Sequence, residues 1–169
     1  EVFADNGIEW QQDNMMLLAQ GNARAERGAV KILADTLRAH YRNKSDGSTD
    51  IWRLDALGKV KISSPGETAY GEKGIYDVER GILVLSGGKQ VRLITEQDKI
   101  TAEKQLEFWE HKQMAVARGN AIATRENQTL RAEVISAYLH KDKNGVTTIY
   151  RIEAFDGVRI TTNKDKVSA

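Results

Sequence analysis

The sequence predicts an all-β protein of stacked antiparallel strands, and three observations support this fold class. Apolar and charged residues alternate in runs such as Val60-Lys61-Ile62 and Val91-Arg92-Leu93, as they do in strands with one buried face. Turn signals such as Pro65-Gly66 and Gly87-Gly88 separate these runs at short intervals. The chain also contains an internal duplication, which indicates that one structural unit occurs more than once.

The duplication relates residues that are 98 positions apart. Gly21-Asn22-Ala23 aligns with Gly119-Asn120-Ala121, and the alignment continues without a gap in both directions. It contains 18 identities in 62 positions, where average amino-acid usage would give roughly four. We therefore expect a single domain over residues 1–169, with internal repeats at about 3–64 and 101–162 and a middle unit at 65–100.

Each repeat should contain the same strands in the same order. We expect turns at Gly21-Asn22 and at its counterpart Gly119-Asn120, because glycine and asparagine readily adopt positive φ. The strands that follow the first of these turns are predicted at residues 31–41, 51–56 and 60–62, with equivalents 98 positions later. In the middle unit, residues 76–87 resemble residues 108–119 at a spacing of 32.

Helices are the alternative for residues 112–118 and 129–139, which are rich in Ala, Leu and Glu. The equivalent of the second stretch, residues 31–41, contains the β-branched Ile32 and Thr36. Two copies of one repeat should share one backbone. We therefore expect strands in both copies, with a short helix allowed only near either end.

Composition limits the possible functions. The 25 Lys and Arg nearly balance the 24 Asp and Glu, for a net charge of +1, and they are scattered along the chain, which argues against nucleic-acid binding. No cysteine is present, so disulfides, thiol nucleophiles and thiolate metal sites are excluded. No apolar run approaches the roughly 18 to 20 residues of a membrane-spanning helix.

No arrangement of residues typical of catalysis recurs in the sequence. His40, His111 and His140 are dispersed, and neither paired carboxylates nor a nucleophile with a base occur at convincing spacing. Asp35 and Glu133 occupy equivalent repeat positions, which favours a structural role at a turn or cap. We expect no enzyme activity, no metal site and no cofactor.

An apolar sheet face has to be buried against another sheet, a partner or a ligand. Alternation predicts that nine apolar side chains face inward: Val60, Ile62, Tyr76, Val78, Leu83, Leu85, Val91, Leu93 and Phe108. In the simplest interpretation they fill a sandwich core. However, the repeat also places alanines on this face, at Ala115, Ala117, Ala121 and Ala123, and small side chains leave room for an apolar guest.

A stack of repeats has two open ends. Each end strand presents unpaired backbone groups, which can pair with a strand of another molecule. Contact of this head-to-tail kind does not close on itself, so it builds a chain of molecules. The sequence therefore predicts concentration-dependent oligomers.

The repeated motifs resemble those of a known family. Gly21-Asn22-Ala23 and Gly119-Asn120-Ala121 are each followed by an apolar strand and then by Ala34-Asp35-x-Leu37 or Ala132-Glu133-x-Ile135. In this order and spacing they are similar to the periplasmic bridge proteins of lipopolysaccharide transport, the LptA or OstA-like family. The resemblance covers nearly the whole chain.

The resemblance implies an open-ended, twisted β-jellyroll whose interior receives the acyl chains of lipid A. It implies a periplasmic location, with a signal segment removed before Glu1, and no cofactor. The implied partners are lipopolysaccharide, an inner-membrane anchored component, the outer-membrane translocon and further copies of the chain. Carried over by position, the lipid-binding residues are the nine inward residues given above, and the partner edge strands contain Val2, Phe3, Ile8, Ile152, Val158 and Ile160.

Cations at the rim of such a groove would meet the anionic groups of the lipid. The candidates are Lys59, Lys61, Lys89 and Arg92, although each is equally explained as part of a solvated sheet face. Two other functions also stay open. The chain could be another component of the same pathway with this fold, either the inner-membrane anchored component or the translocon N-terminal domain, or a structural β-repeat scaffold without a lipid ligand.

Overall fold

The computed structural model describes residues 1–163. It contains strands that all pair in antiparallel fashion, and the all-β prediction is confirmed. A short 3₁₀ helix, Glu110–Lys112, is the only helical segment of this part of the chain. The strands are β1 (Val2–Phe3), β2 (Ile8–Gln11), β3 (Met16–Arg27), β4 (Val30–Asn43), β5 (Thr49–Ser64), β6 (Glu67–Asp77), β7 (Ile82–Ser86), β8 (Val91–Thr95), β9 (Asp98–Ala102), β10 (Gln105–Trp109), β11 (Met114–Arg125), β12 (Gln128–Lys141), β13 (Thr147–Phe155) and β14 (Arg159–Thr162).

Six long strands, β3, β4, β5, β6, β11 and β12, each belong to two layers of sheet. In β3, Ala19 pairs with Ile8 of β2, whereas Arg24 pairs with Phe3 of β1. Layer 1 has the order β2-β3-β4-β5-β6-β7-β10-β11-β12-β13, and layer 2 has the order β1-β3-β4-β5-β6-β8-β9-β11-β12-β14. Two stacked layers that share their long strands and, among the described residues, have free edges at both ends form the open-ended jellyroll that the resemblance implies.

Three glycine-containing pairs bend the long strands between the layers. Gly21-Asn22, Gly58-Lys59 and Gly119-Asn120 have φ values between 43° and 91°, and each pair opposes one residue of a neighbouring strand, which is a β-bulge. The predicted turns at the two Gly-Asn pairs are therefore wrong. A turn and a bulge use the same left-handed backbone, but here the neighbouring strand continues past the pair, so the chain bends without reversing.

The two copies of the repeat have matching strands. β11 begins and ends 98 positions after β3, and β12 does the same relative to β4. The equivalent of the continuous β5 is divided into β13 and β14 around Asp156-Gly157. β5 is held on its far side by β6, whereas β13 and β14 pair on one side only, with β12, in the part of the chain that the structure describes. The last strand of the chain therefore breaks where its counterpart bends.

The core lies between the layers and is most tightly closed beside the bulges. Inward residues next to a bulge, such as Ala23, Val60 and Ala121, are almost completely buried. Inward residues further along the same strands, such as Ile32 and Ile62, are only partly buried. At β4 and β5 the layers therefore separate with distance from the bulges and leave an opening, whereas Leu93 of β8 and Ile100 of β9 stay buried at the same distance.

Candidate functional site

The side of the molecule away from the bulges contains an apolar groove between the two layers. Its volume is about 370 Å³. Layer 2 contributes Val30, Ile32, Ile62, Ser64, Glu67 and Ala69, and layer 1 contributes Tyr76, Leu83, Phe108, Trp109, Met114, Leu139 and Lys141, together with Glu110 and Gln113 from the adjoining 3₁₀ turn. Both layers are needed to form it.

The alternation of the strands explains why these side chains reach the groove. On β5, Ile62 lies between Lys61 and Ser63 and points inward, as does Val60 two residues earlier. On β7, Leu83 and Leu85 share the inward phase, and their depth differs because Leu85 faces Gly74 beside the bulges, whereas Leu83 faces Tyr76 further out. β5 and β7 therefore each give one residue to the closed core and another to the groove.

The predicted lipid-binding residues occupy three places. Ile62, Tyr76, Leu83 and Phe108 line the groove. Val60, Leu85, Val91 and Leu93 belong to the closed core, with at most 1 % of their surface exposed. Val78 lies just beyond β6, where its N–H donates to the carbonyl of Trp52. The structure thus brings four of the nine residues together at the groove surface.

Tyr76 forms a polar boundary at one side of the groove. Its hydroxyl donates to the Glu110 carboxylate, with Oε1 and Oε2 both 3.0 Å away. Burial and the adjacent Glu110 raise the pKa of Tyr76 to about 12, although Arg27 acts in the opposite direction. The hydroxyl therefore stays protonated and remains a donor, with the apolar ring of Tyr76 facing the groove.

The opposite side of the groove is bounded by a contact between the layers that we call the latch, formed by Pro65, Gly66, Val146 and Thr147. The Thr147 N–H donates to the Pro65 carbonyl over 2.9 Å. A Cβ on Gly66 would lie 2.7 Å from Val146 Cγ1 and 2.8 Å from the Thr147 carbonyl oxygen. Only glycine fits here, so the β5–β6 turn of layer 2 packs directly against layer 1.

Glu67 lies behind the latch and is largely buried. Its Oε1 accepts a hydrogen bond of 2.8 Å from the Ser64 hydroxyl, whereas Glu67 Oε2 and Thr147 Oγ1 are buried without a hydrogen-bond partner within residues 1–163. Burial raises the pKa of Glu67, and the neighbouring Ser64, Lys141 and Thr147 offset this only in part. The sequence interpretation missed Glu67. The signal was its position two residues before Ala69 on the same strand, which gives both residues the inward phase.

A second opening lies beyond the latch, toward the C-terminal end of the stack. Its volume is about 240 Å³, and its apolar lining includes Ala123, Leu130, Ile149, Ile152 and Ile160. Asp98, only 3 % exposed, pairs there with Arg125 at 2.7 Å. Arg125 Nη2 also donates to the Ile149 carbonyl over 3.0 Å, which ties layer 2 to layer 1 a second time.

The two ends of the stack expose apolar edge strands. Within residues 1–163, β1 and β2 pair only with β3, and β13 and β14 pair only with β12. Of the predicted edge residues, Val2, Phe3, Ile8 and Ile160 lie in these strands and are exposed, Ile152 is partly buried in β13, and Val158 lies between β13 and β14. Two large side chains that the sequence interpretation did not select, Trp10 and Tyr150, are more than 60 % exposed.

The predicted rim cations are not at the groove. Lys61 and Arg92 lie on the outer face of layer 2, where both are positioned over the Tyr70 ring. Lys59 is in a bulge, and Lys89 is in the turn between β7 and β8. The alternation that points Ile62 and Leu93 inward necessarily points their neighbours outward. Lys141 is the cation that lines the groove.

Acidic side chains support two of the bulges, and one of these side chains is Glu133, whose structural role the sequence predicts. Glu133 Oε2 accepts a hydrogen bond of 3.2 Å from the Asn120 N–H, and Asn120 Nδ2 donates to Glu103 Oε1 over 2.9 Å. Glu72 accepts from the Lys59 N–H in the same way. Within residues 1–163, no group of three His, Asp or Glu side chains is placed to hold a metal ion. No helix in that range is long and apolar enough to cross a membrane.

Comparison with known proteins gives three findings. Residues 1–105 match the family described as LptA/(LptD N-terminal domain) LPS transport protein. An uncharacterized protein of Rhizobium meliloti (strain 1021) is 27% identical over 88 residues, which are 50% of this chain and 47% of that protein. The chain thus spans about half the length of this curated relative. The crystal structure of LptH, the LptA-homologous periplasmic component of the lipopolysaccharide transport device of Pseudomonas aeruginosa, aligns with 97% of this chain and 94% of its own, at 14% identity and a TM-score of 0.35.

Proposed function

Because this chain belongs to the LptA/LptD N-terminal-domain family of lipopolysaccharide transport proteins, we propose that it carries lipopolysaccharide across the periplasm with the lipid A acyl chains in the groove. Family membership confirms the resemblance that the repeated motifs indicate, and the family is one of transport proteins and not of enzymes. The acyl-chain site, the periplasmic location and the bridging described below belong to the proposal.

The groove is the observation that carries this proposal. Its volume of about 370 Å³ lies within the range of roughly 300–1,000 Å³ that ligand sites occupy. Most of its lining is apolar, and Ile62, Leu83 and Phe108 are only partly buried, so a guest can still cover them. Each methylene buried there contributes about 0.8 kcal/mol, and a chain of a dozen carbons therefore binds well without any covalent step.

Polar groups at the groove would accommodate the remainder of the lipid. Lys141 lines the groove and carries a positive charge, which suits a phosphate. The Tyr76 hydroxyl and the Glu110 carboxylate lie together at the other side of the groove and suit sugar hydroxyls as donor and acceptor. In this arrangement the acyl chains lie between the layers and the sugar–phosphate part stays in water.

The strand order favours head-to-tail bridging. All neighbours in layer 1 are antiparallel from β2 to β13, and layer 1 contains ten strands. Because the number of strands is even, β2 and β13 at the two ends of layer 1 run in opposite directions. When copies are stacked by translation, β13 of one copy is therefore antiparallel to β2 of the next. The two layers would then continue from copy to copy with antiparallel pairing throughout, and the grooves would align along the stack.

Acyl-chain binding is tested by one substitution inside the groove and one outside it. Leu83→Asp places a carboxylate among apolar side chains, whereas Val84→Asp places one on the outer face of the same strand, where Val84 is also partly buried. An unpaired buried charge costs several kcal/mol, so we expect Leu83→Asp to weaken binding at least about tenfold, which is about 1.4 kcal/mol. Binding is measured by displacement of a fluorescent fatty acid with purified lipopolysaccharide.

The control decides how the result is interpreted. Val84→Asp should bind nearly as well as the unchanged chain, and both variants should keep their β circular-dichroism spectrum. If both folded variants bind equally, or if lipopolysaccharide does not displace the fatty acid, the groove is not the lipid site. A chain that binds no lipid but still polymerises would instead be a structural scaffold.

A further inference from the structure

A row of basic residues crosses the outer face of layer 2 from one end of the molecule to the other. Directly paired positions of the ten strands define this row. It contains five cations and no carboxylate. In spatial order its members are Phe3, Arg24, Leu33, Lys61, Tyr70, Arg92, Thr101, Ile122, Arg131 and Arg159.

The next row on the same face adds two cations. It contains the cations Lys31 and Lys99 and the carboxylates Glu26 and Glu1, which are paired through their backbones. Its other positions are Ser63, Thr68, Ile94, Thr124, Thr129 and Thr161. Hydroxyl side chains therefore fill most of the space between the charges. We call the seven cations of the two rows the basic face: Arg24, Lys31, Lys61, Arg92, Lys99, Arg131 and Arg159.

Most cations of the basic face form no ion pair within the described part of the chain. Within residues 1–163, Arg24 is its only member in an ion pair, with Glu26 at 3.3 Å. On the outer face of layer 1, by contrast, cations are paired at short range: Arg53 with Asp55 at 2.7 Å, Arg118 with Glu107 at 2.6 Å, and Arg151 with Glu153 at 2.6 Å. A chain with a net charge of only +1 thus has seven cations in two adjacent rows of one face, bordered along the bulges by the exposed carboxylates Asp35, Glu72, Glu103 and Glu133.

We propose that the basic face docks the protein onto the surface of an anionic phospholipid bilayer. Ten strands at about 4.8 Å spacing extend over about 43 Å, so cations spread along them cannot converge on one small anion. They match an extended surface of anionic groups, to which each lysine and arginine contributes separately. The row of hydroxyl side chains suits adsorption at the headgroups without insertion of the protein into the acyl region.

Docking on this face has a consequence for the groove. Lys61 and Ile62 are successive residues of β5, so they lie on opposite faces of the same layer. A molecule resting on its basic face therefore holds the groove one sheet thickness, about 10 Å, above the headgroups. The docking itself requires only the outer face of layer 2, so it does not depend on whether the groove holds lipid.

The test is flotation of the full chain with vesicles that contain no lipopolysaccharide. We expect binding to vesicles of phosphatidylcholine mixed with phosphatidylglycerol, little binding to phosphatidylcholine alone, and loss of binding near 1 M salt, where the Debye length is about 3 Å. The double variant Arg92→Gln/Arg131→Gln should reduce the bound fraction several-fold. Its control, Arg38→Gln/Lys73→Gln, removes two exposed charges from the outer face of layer 1.

Four results would overturn the proposal. The unchanged chain could fail to float with the anionic vesicles, or the two double variants could reduce binding equally, which would mean that net charge alone is responsible. Binding could persist unchanged in Arg92→Gln/Arg131→Gln. A DNA duplex could displace the protein from the vesicles at lower concentration than soluble phosphatidylglycerol, which would assign the basic face to another polyanion. The Leu83→Asp variant should bind the anionic vesicles normally. Loss of lipid binding in the groove and loss of docking are therefore distinguished, because the first changes fatty-acid displacement and the second changes flotation.

Discussion

Two partly desolvated carboxylates of this protein, Glu67 and Glu107, have pKa values that are shifted in opposite directions. Glu67 is buried with one oxygen unpartnered, and burial raises its pKa. Glu107 is also partly desolvated, but hydrogen bonds from Arg118, Trp109 and Gln105 outweigh this and lower its pKa. Glu107 differs from Glu67 in that a guanidinium, Arg118, lies 2.6 Å away and favours the ionised form.

These opposite shifts predict opposite pH dependence in two matched variants. A raised pKa in the folded state means that ionisation of Glu67 destabilises the fold as the pH rises through that pKa. We expect Glu67→Gln to increase the free energy of unfolding at neutral pH, with the difference vanishing below the ordinary carboxyl pKa of about 4.3. Urea unfolding at several pH values measures this.

Glu107→Gln serves as the control. The lowered pKa of Glu107 contributes stability that is present above the ordinary carboxyl pKa and is lost as the pH falls through the lowered value. Glu107→Gln should therefore destabilise the protein at neutral pH, and this loss should vanish in acid. If the two variants respond to pH in the same direction, the contrast drawn between the two environments is incorrect.

At the residue level, the sequence predicts which way a side chain points better than how deep it lies. Period-two alternation places Ile62, Leu83 and Leu85 on the inward face. Alternation does not distinguish Leu83 from Leu85, because their depth depends on the distance to bulges in strands that are remote in the sequence. The groove surface and the closed core are therefore separable only once the pairing of the strands is known.

At the level of elements, the latch is the contact between the layers with the least tolerance for substitution. Gly66 has a φ of +86° and packs against Thr147, whereas a Cβ on Gly47, whose φ is +85°, would meet no atom within 4 Å. Alanine at either position adopts a left-handed backbone at a cost of about 1–2 kcal/mol. Only Gly66→Ala also forces the two layers apart.

We therefore expect Gly66→Ala to destabilise the protein more than Gly47→Ala does. The specific signature is the Thr147 amide, which donates to the Pro65 carbonyl and should exchange with solvent faster in Gly66→Ala only. Amide hydrogen exchange followed by NMR measures this. An unprotected Thr147 amide in the unchanged chain, or equal losses of stability in the two variants, would show that the latch does not hold the layers together.

The Gly-Asn pairs show why strand boundaries were harder to predict than strand content. A Gly-Asn dipeptide indicates positive φ, and both residues of Gly21-Asn22 and of Gly119-Asn120 have positive φ. Local sequence does not reveal whether the chain then reverses or continues, because that depends on whether β4 or β12 extends past the pair. The strands predicted at 31–41 and 129–139 are therefore correct, whereas turns were predicted where two long strands bend.

At the level of the whole molecule, duplication explains why the two ends differ from the middle. β5 pairs with β6, whereas its equivalents β13 and β14 have no further neighbour in the described residues. Likewise β10, the equivalent of β2, pairs with β7 as well as β11. Each end of the stack thus carries a strand whose internal counterpart is paired on both sides, and this makes the edges suited to another copy.

Head-to-tail association predicts a specific behaviour of variants blocked at one end. Lysine disfavours edge pairing, so Phe3→Lys/Ile8→Lys blocks the β1–β2 end, and Phe155→Lys/Ile160→Lys blocks the β13–β14 end. All four side chains are exposed, from 41 % for Phe3 to 70 % for Ile160. Each blocked variant should be a monomer by analytical ultracentrifugation at concentrations where the unchanged chain forms longer species.

An equimolar mixture of the two blocked variants distinguishes head-to-tail pairing from other modes of association. Each variant keeps one free end, and the two free ends are complementary, so the mixture should form dimers and nothing larger. The control is Leu33→Lys/Trp52→Lys, which adds the same charge at exposed positions of β4 and β5, away from both ends, and should assemble like the unchanged chain. Dimers in either blocked variant alone would indicate that like edges pair with each other. If the unchanged chain is a monomer at high concentration, its edge strands do not pair with another copy, and bridging by self-association is ruled out.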